Sequence, residues 1–239
     1  NEASPTFGPC RMLDYELEVA MWVGRPNPRG SQISLSESQN YLLGLGLLND
    51  WSARDIQKWE YQPLGPFLAK SFATTVSCWV VTLEALAPFR TARIRPAEDP
   101  KPLPYLSDPV DQDLGMWDIH LEVMLRSQSM QAQGLEPTLV SSSNFRDTYW
   151  SAGQMLTHHA SNGCQFRAGD LLASGTVSGA EVESGGCLLE RTWGGSGQPR
   201  NPIVLTSKEQ RTFLLDGDQV ALRGRCQRDA VRGELRGKF

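Results

Sequence analysis

From Leu13 to Val23, apolar and polar positions alternate in two sets. Leu13, Tyr15, Leu17, Val19, Met21 and Val23 share one face, and Asp14, Glu16, Glu18, Ala20 and Trp22 share the other. A period of two predicts a strand with one core face. The apolar run Tyr41 to Leu48 predicts another strand, ending at Asn49-Asp50. Ser52 to Tyr61 then reads as a short helix, with Ser52 as N-cap, Asp55 three positions on as in a capping box, and Pro63, Gly65 and Pro66 beyond its end.

Further along, Phe72 to Leu86 is rich in Thr, Val and Trp and predicts strand. Pro88, Pro96, Pro100, Pro102, Pro104 and Pro109 punctuate the next stretch, which reads as an ordered surface loop. Trp117 to Leu125 alternates as a strand. Phe145, Tyr149, Ala152, Leu156 and Ala160 space a helix over Asn144 to Asn162, closed by Gly163. Asp170 to Val177, Cys187 to Trp193, Ile203 to Thr206 and Phe213 to Arg223 read as strands between glycine-rich turns such as Asp216-Gly217-Asp218. The sum is a mixed α/β, β-rich fold, with two helices against a rolled or sandwiched mixed sheet. No internal repeat is visible, and 239 residues suit one domain.

Composition narrows the function classes. The 40% hydrophobic and 21% charged residues are ordinary for a globular chain, and no apolar run approaches the roughly 20 residues that span a bilayer, so a membrane role is not expected. The net charge of −4 comes from interspersed charges without a basic face, which argues against a nucleic-acid partner. Five separated cysteines, Cys10, Cys78, Cys164, Cys187 and Cys226, suit reduced thiols in the cytoplasm, and without a Cys-x-x-Cys pair there is no zinc ribbon. Asn1 opens the chain with neither an initiator methionine nor a signal-peptide pattern, so the expectation is a piece of a longer polypeptide.

Chemistry concentrates between residues 16 and 74. Glu16 and Glu18, two apart on a strand, share a face at roughly 6.5–7 Å along the backbone. Their carboxylates can converge on one divalent ion, or stand as solvated surface groups. Asp50 is a third candidate. Three carboxylates without a neighbouring His or Cys favour Mg²⁺ or Ca²⁺ over zinc. Arg54, Gln57 and Tyr61 recur at i, i+3 and i+7, either as a solvent-facing stripe or as donors aimed at a substrate carboxylate or enolate. Lys70 lies among apolar neighbours, where a lone ammonium is costly to bury unpaired, and Thr74 follows; both are also compatible with a strand edge.

The run Asn49-Asp50-Trp51-Ser52-Ala53-Arg54-Asp55-Ile56-Gln57-Lys58-Trp59-Glu60-Tyr61, then Pro63 to Leu68 and Lys70-Ser71-Phe72, resembles the fumarylacetoacetase family. So do Leu13 to Glu18, Leu156 to His159, Asn162-Gly163-Cys164, Gly169 to Gly179 and Phe213 to Asp218, so that the resemblance covers nearly the whole chain. It implies the C-terminal catalytic domain fold across 1–239, with an N-terminal domain and a catalytic segment upstream. The implied activity is metal-dependent hydrolysis of 4-fumarylacetoacetate, a β-diketo acid, to fumarate and acetoacetate in tyrosine and phenylalanine breakdown, by a cytoplasmic homodimer. Within the same superfamily, hydrolysis or decarboxylation of another oxo-acid is the alternative, and an inactive scaffold is a third.

Position by position, Glu16, Glu18 and Asp50 match three of the family's four carboxylate metal ligands, for Ca²⁺ or Mg²⁺. Arg54, Gln57 and Lys70 match the groups that hold and polarise the cleaved carbonyl and the departing carbanion. Tyr61 and Thr176 match substrate contacts, and Lys70 with Thr74 the place of a second, structural cation. Glu190 matches the carboxylate that orients the catalytic histidine. That histidine and the fourth ligand, an aspartate, belong to a segment before the first strand and have no counterpart here, so these 239 residues are expected to bind metal weakly and hydrolyse slowly or not at all. His120, His158 and His159 read as structural, and Gln227 to Phe239 as shortened against the family.

Overall fold

The computed structural model describes residues 6–228 and 231–238; the first residues of the chain lie outside that range. In chain order the elements are β1 (Leu13–Asp14), β2 (Leu17–Val23), β3 (Leu42–Asp50), β4 (Ser52–Ala53), α1 (Arg54–Glu60), β5 (Thr74–Val76), β6 (Val81–Thr82), α2 (Leu83–Leu86), β7 (Arg90–Thr91), α3 (Pro109–Leu114) and β8 (Met116–Trp117). The second half adds β9 (His120–Arg126), α4 (Gln128–Ala132), β10 (Thr138–Asn144), α5 (Ala152–Ala160), β11 (Leu171–Ala173), α6 (Leu188–Arg191), β12 (Ile203–Val204), β13 (Gln210–Arg211), β14 (Gln219–Arg228) and β15 (Val231–Lys238). No helix among the described residues is long and apolar enough to cross a membrane.

Two sheets carry the architecture. One runs β11-β2-β3-β5, with β6 also on β3; the other runs β10-β9-β14-β15. Every ladder in them is antiparallel. Leu17, Val19, Met21, Leu45 and Leu47 of the first sheet join Leu121, Val123, Leu125, Val140 and Leu222 of the second in one buried cluster, closed by Phe145 and Leu156. Each such side chain contributes about 1.5–3 kcal/mol by leaving water. The β-rich mixed α/β expectation therefore holds, in the form of curled sheets with short helices.

Several local expectations fail, each for an identifiable reason. The Leu13 to Val23 strand has two buried faces, not one, and breaks at Tyr15-Glu16; Asp14, Glu16, Glu18 and Ala20 are as enclosed as Leu17 and Val19. Ser52 is not an N-cap. It pairs with Asp14 in the β1–β4 ladder and its hydroxyl donates to the Asp50 carbonyl, so α1 begins at Arg54 without a side-chain cap. Phe72 to Leu86 is interrupted, and its last four residues form α2, started by Thr82 accepting from the Ala85 amide.

The helix expected from Asn144 starts only at Ala152. Asn144 ends β10 and caps a single 3-10 turn, and the capping box of Ser151 and Gln154 then opens α5. Gly163, at φ +83, does close it. Cys187 to Trp193 is not a strand: four of its residues form α6. A short apolar run cannot be assigned by periodicity, and here the distant side chain of Asp14 takes the first helical amides. Asp170 to Val177 is a strand only over β11, and Phe213 to Arg223 becomes one only at Gln219. Six short α-helices appear among the described residues where two were expected.

Candidate metal centre

The polar face of the β1–β2 segment is the start of the site. Glu16 sits at the break before β2, and Glu18 two residues later faces the same way. The neighbouring strand β3 runs antiparallel with Leu17 opposite Asn49, which brings Asp50, at its end, beside Glu16: the Asp50 amide donates to the Glu16 carbonyl at 3.3 Å. Asn49, fully buried, accepts the Glu16 amide at 3.1 Å and fixes the break. One carboxylate oxygen each from Glu16, Glu18 and Asp50 then lie within 4.8 Å of one another.

Two cations enter from the segment after β3. Arg54 heads α1, and its buried guanidinium donates from Nη1 to Glu16 Oε1 at 2.7 Å and to Gln57 Oε1 at 2.9 Å, and from Nε to Asp14 Oδ2 at 2.9 Å. The Lys70 ammonium donates to Glu16 Oε2 at 2.5 Å and to Asp50 Oδ2 at 2.9 Å. The turn before Lys70 is held by Glu60, which accepts the amides of Phe67, Leu68 and Ala69 at 2.6, 3.2 and 2.8 Å. Burial works slightly against the Glu60 anion, but those three amides hold its carboxyl below the usual range.

The carboxylates differ in electrostatics. Burial would raise Glu16, yet the Lys70 hydrogen bond and the Arg54 charge outweigh it and its carboxyl lies below the ordinary value. Glu18 has no such partner. It accepts the Gly175 amide at 3.0 Å, while burial, and then the charges of Glu16 and Asp50, push it up to about 7. Counting Asp14, Glu16, Glu18 and Asp50 against Arg54 and Lys70, four carboxylates meet two cations. Buried charges are costly when unbalanced, and with every carboxylate ionised the excess of two negative charges matches one divalent cation. Oxygens sharing one ion at about 2.0–2.6 Å can lie no more than about 5 Å apart, which the Glu16, Glu18 and Asp50 oxygens satisfy; with no sulfur or nitrogen donor, the set fits a hard ion such as Ca²⁺ or Mg²⁺.

The remaining residues lie around this centre. Gln57 faces Arg54, whereas Tyr61 caps the end of α1 with an exposed ring. Thr74 pairs with Asp50 across the β3–β5 ladder and is exposed. Thr176 follows Gly175, the donor to Glu18, and precedes Val177, whose amide bonds the Leu17 carbonyl. Glu190 is on α6, where its Oε2 accepts from Ser178 Oγ at 2.6 Å, the Gly186 amide at 3.1 Å and Cys187 Sγ at 3.3 Å.

All three histidines lie elsewhere. His120 faces Glu122 at 3.4 Å, His158 meets the Tyr105 hydroxyl at 2.8 Å, and His159 faces Cys164 at 3.4 Å. Sequence reasoning missed Asp14, Asn49 and Glu60. Asp14 and Asn49 fall on the margins of apolar strands, where polarity reads as surface, and only their burial gives them away.

A family model described as fumarylacetoacetate (FAA) hydrolase C-terminal matches residues 3–236. The chain is 48% identical over 237 residues to the fumarylacetoacetase of Bos taurus, covering 98% of this chain and 54% of that protein. It is likewise 48% identical over 237 residues to the Homo sapiens enzyme, at 98% and 54% coverage. The Arabidopsis thaliana enzyme is 48% identical over 227 residues, at 95% and 51%. The chain thus spans about half the length of the curated relatives it matches. Among solved structures, a fumarylacetoacetate hydrolase from psychrophilic Exiguobacterium antarcticum superposes with a TM-score of 0.53 at 20% identity, covering 96% of this chain and 57% of that one. A 5-carboxymethyl-2-hydroxymuconate delta-isomerase from Mycobacterium smegmatis gives 0.51 at 18% identity, with 95% and 58% covered. At such identities these two structures speak to the fold alone.

Proposed function

The chain belongs to the fumarylacetoacetate hydrolase family, and on that premise we propose that it serves the metal-dependent hydrolysis of a carbon–carbon bond in 4-fumarylacetoacetate, releasing fumarate and acetoacetate. The observation that carries the reading is the meeting of Glu16, Glu18 and Asp50 with the Arg54 and Lys70 cations in one largely buried cluster where, with Asp14 counted, carboxylates outnumber cations by two. Ca²⁺ or Mg²⁺, held by those three carboxylates, would supply Lewis-acid polarisation of the diketone oxygens.

The chain's own groups have separate tasks. Addition of water to the carbonyl raises an oxyanion, and cleavage of the adjacent carbon–carbon bond leaves a carbanion that must take up a proton. Arg54, with Gln57 beside it, is the donor set for the carbonyl oxygen, and Lys70 is the cation for the carbanion side. Because both are already hydrogen-bonded in place, they need little reorganisation as charge develops. Tyr61 at the rim and Thr176 beside the Glu18 donor are the further substrate contacts. Glu190, anchored by Ser178 and Gly186, is the carboxylate to orient a general base for water, a role that none of the chain's three histidines is placed to fill. Lys70, through main-chain oxygen because an ammonium repels a cation, and Thr74 would hold the second, structural cation.

The setting is cytoplasmic tyrosine and phenylalanine breakdown, with the protein working as a homodimer. Exposed Trp59, Leu64, Phe67, Leu68 and Phe72 around the site provide apolar surface for a second copy to cover. The test is release of fumarate from 4-fumarylacetoacetate with Ca²⁺ or Mg²⁺, before and after chelation. Metal-stimulated turnover, however slow, that Arg54→Ala abolishes supports the reading; equal rates with and without metal, or no fumarate even from a chain extended at its N-terminus, would sink it.

A further inference from the structure

Asp14 is fully buried and belongs to none of the roles above. Its Oδ2 accepts from Arg54 Nε at 2.9 Å and from the Leu189 amide at 2.9 Å; its Oδ1 accepts from the Leu188 amide at 2.8 Å and from its own neighbour, the Tyr15 amide, at 2.9 Å. Four donors saturate the acceptor capacity of a carboxylate. Two of them belong to the helix that carries Glu190, and one to the guanidinium that contacts Glu16 and Gln57.

Neither of those neighbours holds itself in place. Helix α6 has only four residues, too few to be stable alone, and Cys187 at its N-cap position makes no side-chain cap. Its leading amides are satisfied by a carboxylate 174 and 175 positions earlier in the chain. Arg54 has a planar fork, so pinning Nε on Asp14 fixes the direction in which Nη1 points at Glu16 and Gln57. The backbone reinforces the arrangement: Asp14 pairs with Ser52, the Arg54 amide donates to the Met12 carbonyl at 3.0 Å, and the Leu17 amide donates to the Gly186 carbonyl at 2.9 Å.

We infer that Asp14 is a positioning residue, a single buried carboxylate that ties the Arg54 guanidinium and the Glu190-bearing helix into one fixed mutual placement. The inference rests on the roles proposed above for Arg54 and Glu190. A merely structural ion pair would stabilise the fold and leave the turnover of each folded molecule unchanged.

The experiment compares Asp14→Asn, Arg54→Lys and the double variant in the metal-loaded protein, normalised to folded protein by near-ultraviolet circular dichroism. Asn keeps one acceptor for the helix amides and removes the anion facing Arg54. Asp14→Asn is expected to lower kcat on the order of 10- to 100-fold, the scale of an ångström-sized misplacement, with a much smaller change in KM. Added to Arg54→Lys, it should cost less than about threefold more, because residues acting as a unit are non-additive. Full kcat per folded molecule, or single effects that multiply, overturns the inference.

If Asp14→Asn does not fold, Asp14→Glu decides. It keeps the charge while moving it by one methylene, so unchanged kcat overturns the inference and reduced kcat supports it. If the unmodified protein releases no fumarate, kcat cannot be compared, and hydrogen exchange decides. Faster exchange of the Leu188 and Leu189 amides in Arg54→Lys supports a tie running through Asp14; exchange unchanged in that variant overturns it.

Discussion

The Lys70 ammonium lies 2.5 Å from Glu16 Oε2, inside a ring of carboxylates that also has the charge and spacing to hold a divalent ion. One side chain thus both neutralises part of the ligand set and competes with the metal for it. Lys70→Met should therefore bind Ca²⁺ at least as tightly as the unmodified protein in titration calorimetry. Fumarate release should nevertheless fall on the order of 100-fold or more, as when one preorganised donor to a developing charge is removed. Parallel loss of metal affinity and activity would refute this division of labour.

Glu18 gives the metal-free protein a pH dependence of defined sign. Its carboxyl is raised from 4.5 to about 7 in the fold, mainly by burial. Between those values the folded state binds more protons than the unfolded state, so stability falls as pH rises through the window and the full penalty stands above it. Metal-free Glu18→Gln should melt higher than the unmodified protein at pH 8, with the gap closing toward pH 4.5. Saturating Ca²⁺ should reverse the order at pH 8, because ligand binding to the folded state stabilises it by mass action and the variant has lost a ligand. Thermal melts at the two pH values, with and without metal, check both signs.

Glu60 controls the approach to Lys70. Three consecutive amides converge on its carboxylate, so Glu60→Ala frees the turn from Phe67 to Ala69 without touching the metal ligands. Limited proteolysis between residues 62 and 69 should accelerate. The activity should drop on the order of tenfold through misplacement of the ammonium. A cleavage pattern identical to that of the unmodified protein would contradict the role.

Gly44 is a packing requirement. A Cβ at this position would lie 2.3 Å from the Val81 carbonyl, where β6 joins β3. Gly44→Ala must push that strand away, at about 1–3 kcal/mol by analogy with other overpacked sites. Denaturant unfolding should show a lower midpoint of that size, while Gly65→Ala, strained only by its positive φ and open in space, tests backbone conformation separately.

The sequence made some of this legible. The spacing of Glu16 and Glu18 and the position of Asp50 were enough to nominate a metal cluster, because a period of two fixes which side chains share a face. What it hid was long-range. Helix α6 reads as a strand because its start depends on Asp14, and the break at Glu16 depends on Asn49, neither of which announces itself locally. The Phe145, Tyr149 and Ala152 spacing mimicked a helix across a turn that Asn144 caps. Burial of the polar face of β2, the strongest sign of a site, became visible only when strand β3, Lys70 and Gly175 were in place around it.

That last contact links positions 157 residues apart, and the Asp14 contacts with α6 link positions farther still. Local segments reward folding early, whereas such pairings come only after most of the chain has been drawn together. A peptide spanning just Leu13 to Val76 would contain every carboxylate of the metal cluster and both its cations, yet lack the amide that holds Glu18. If Ca²⁺ binds at these carboxylates, its affinity should reach its full value only once Gly175 has docked on Glu18, and a metal titration during refolding would follow that step.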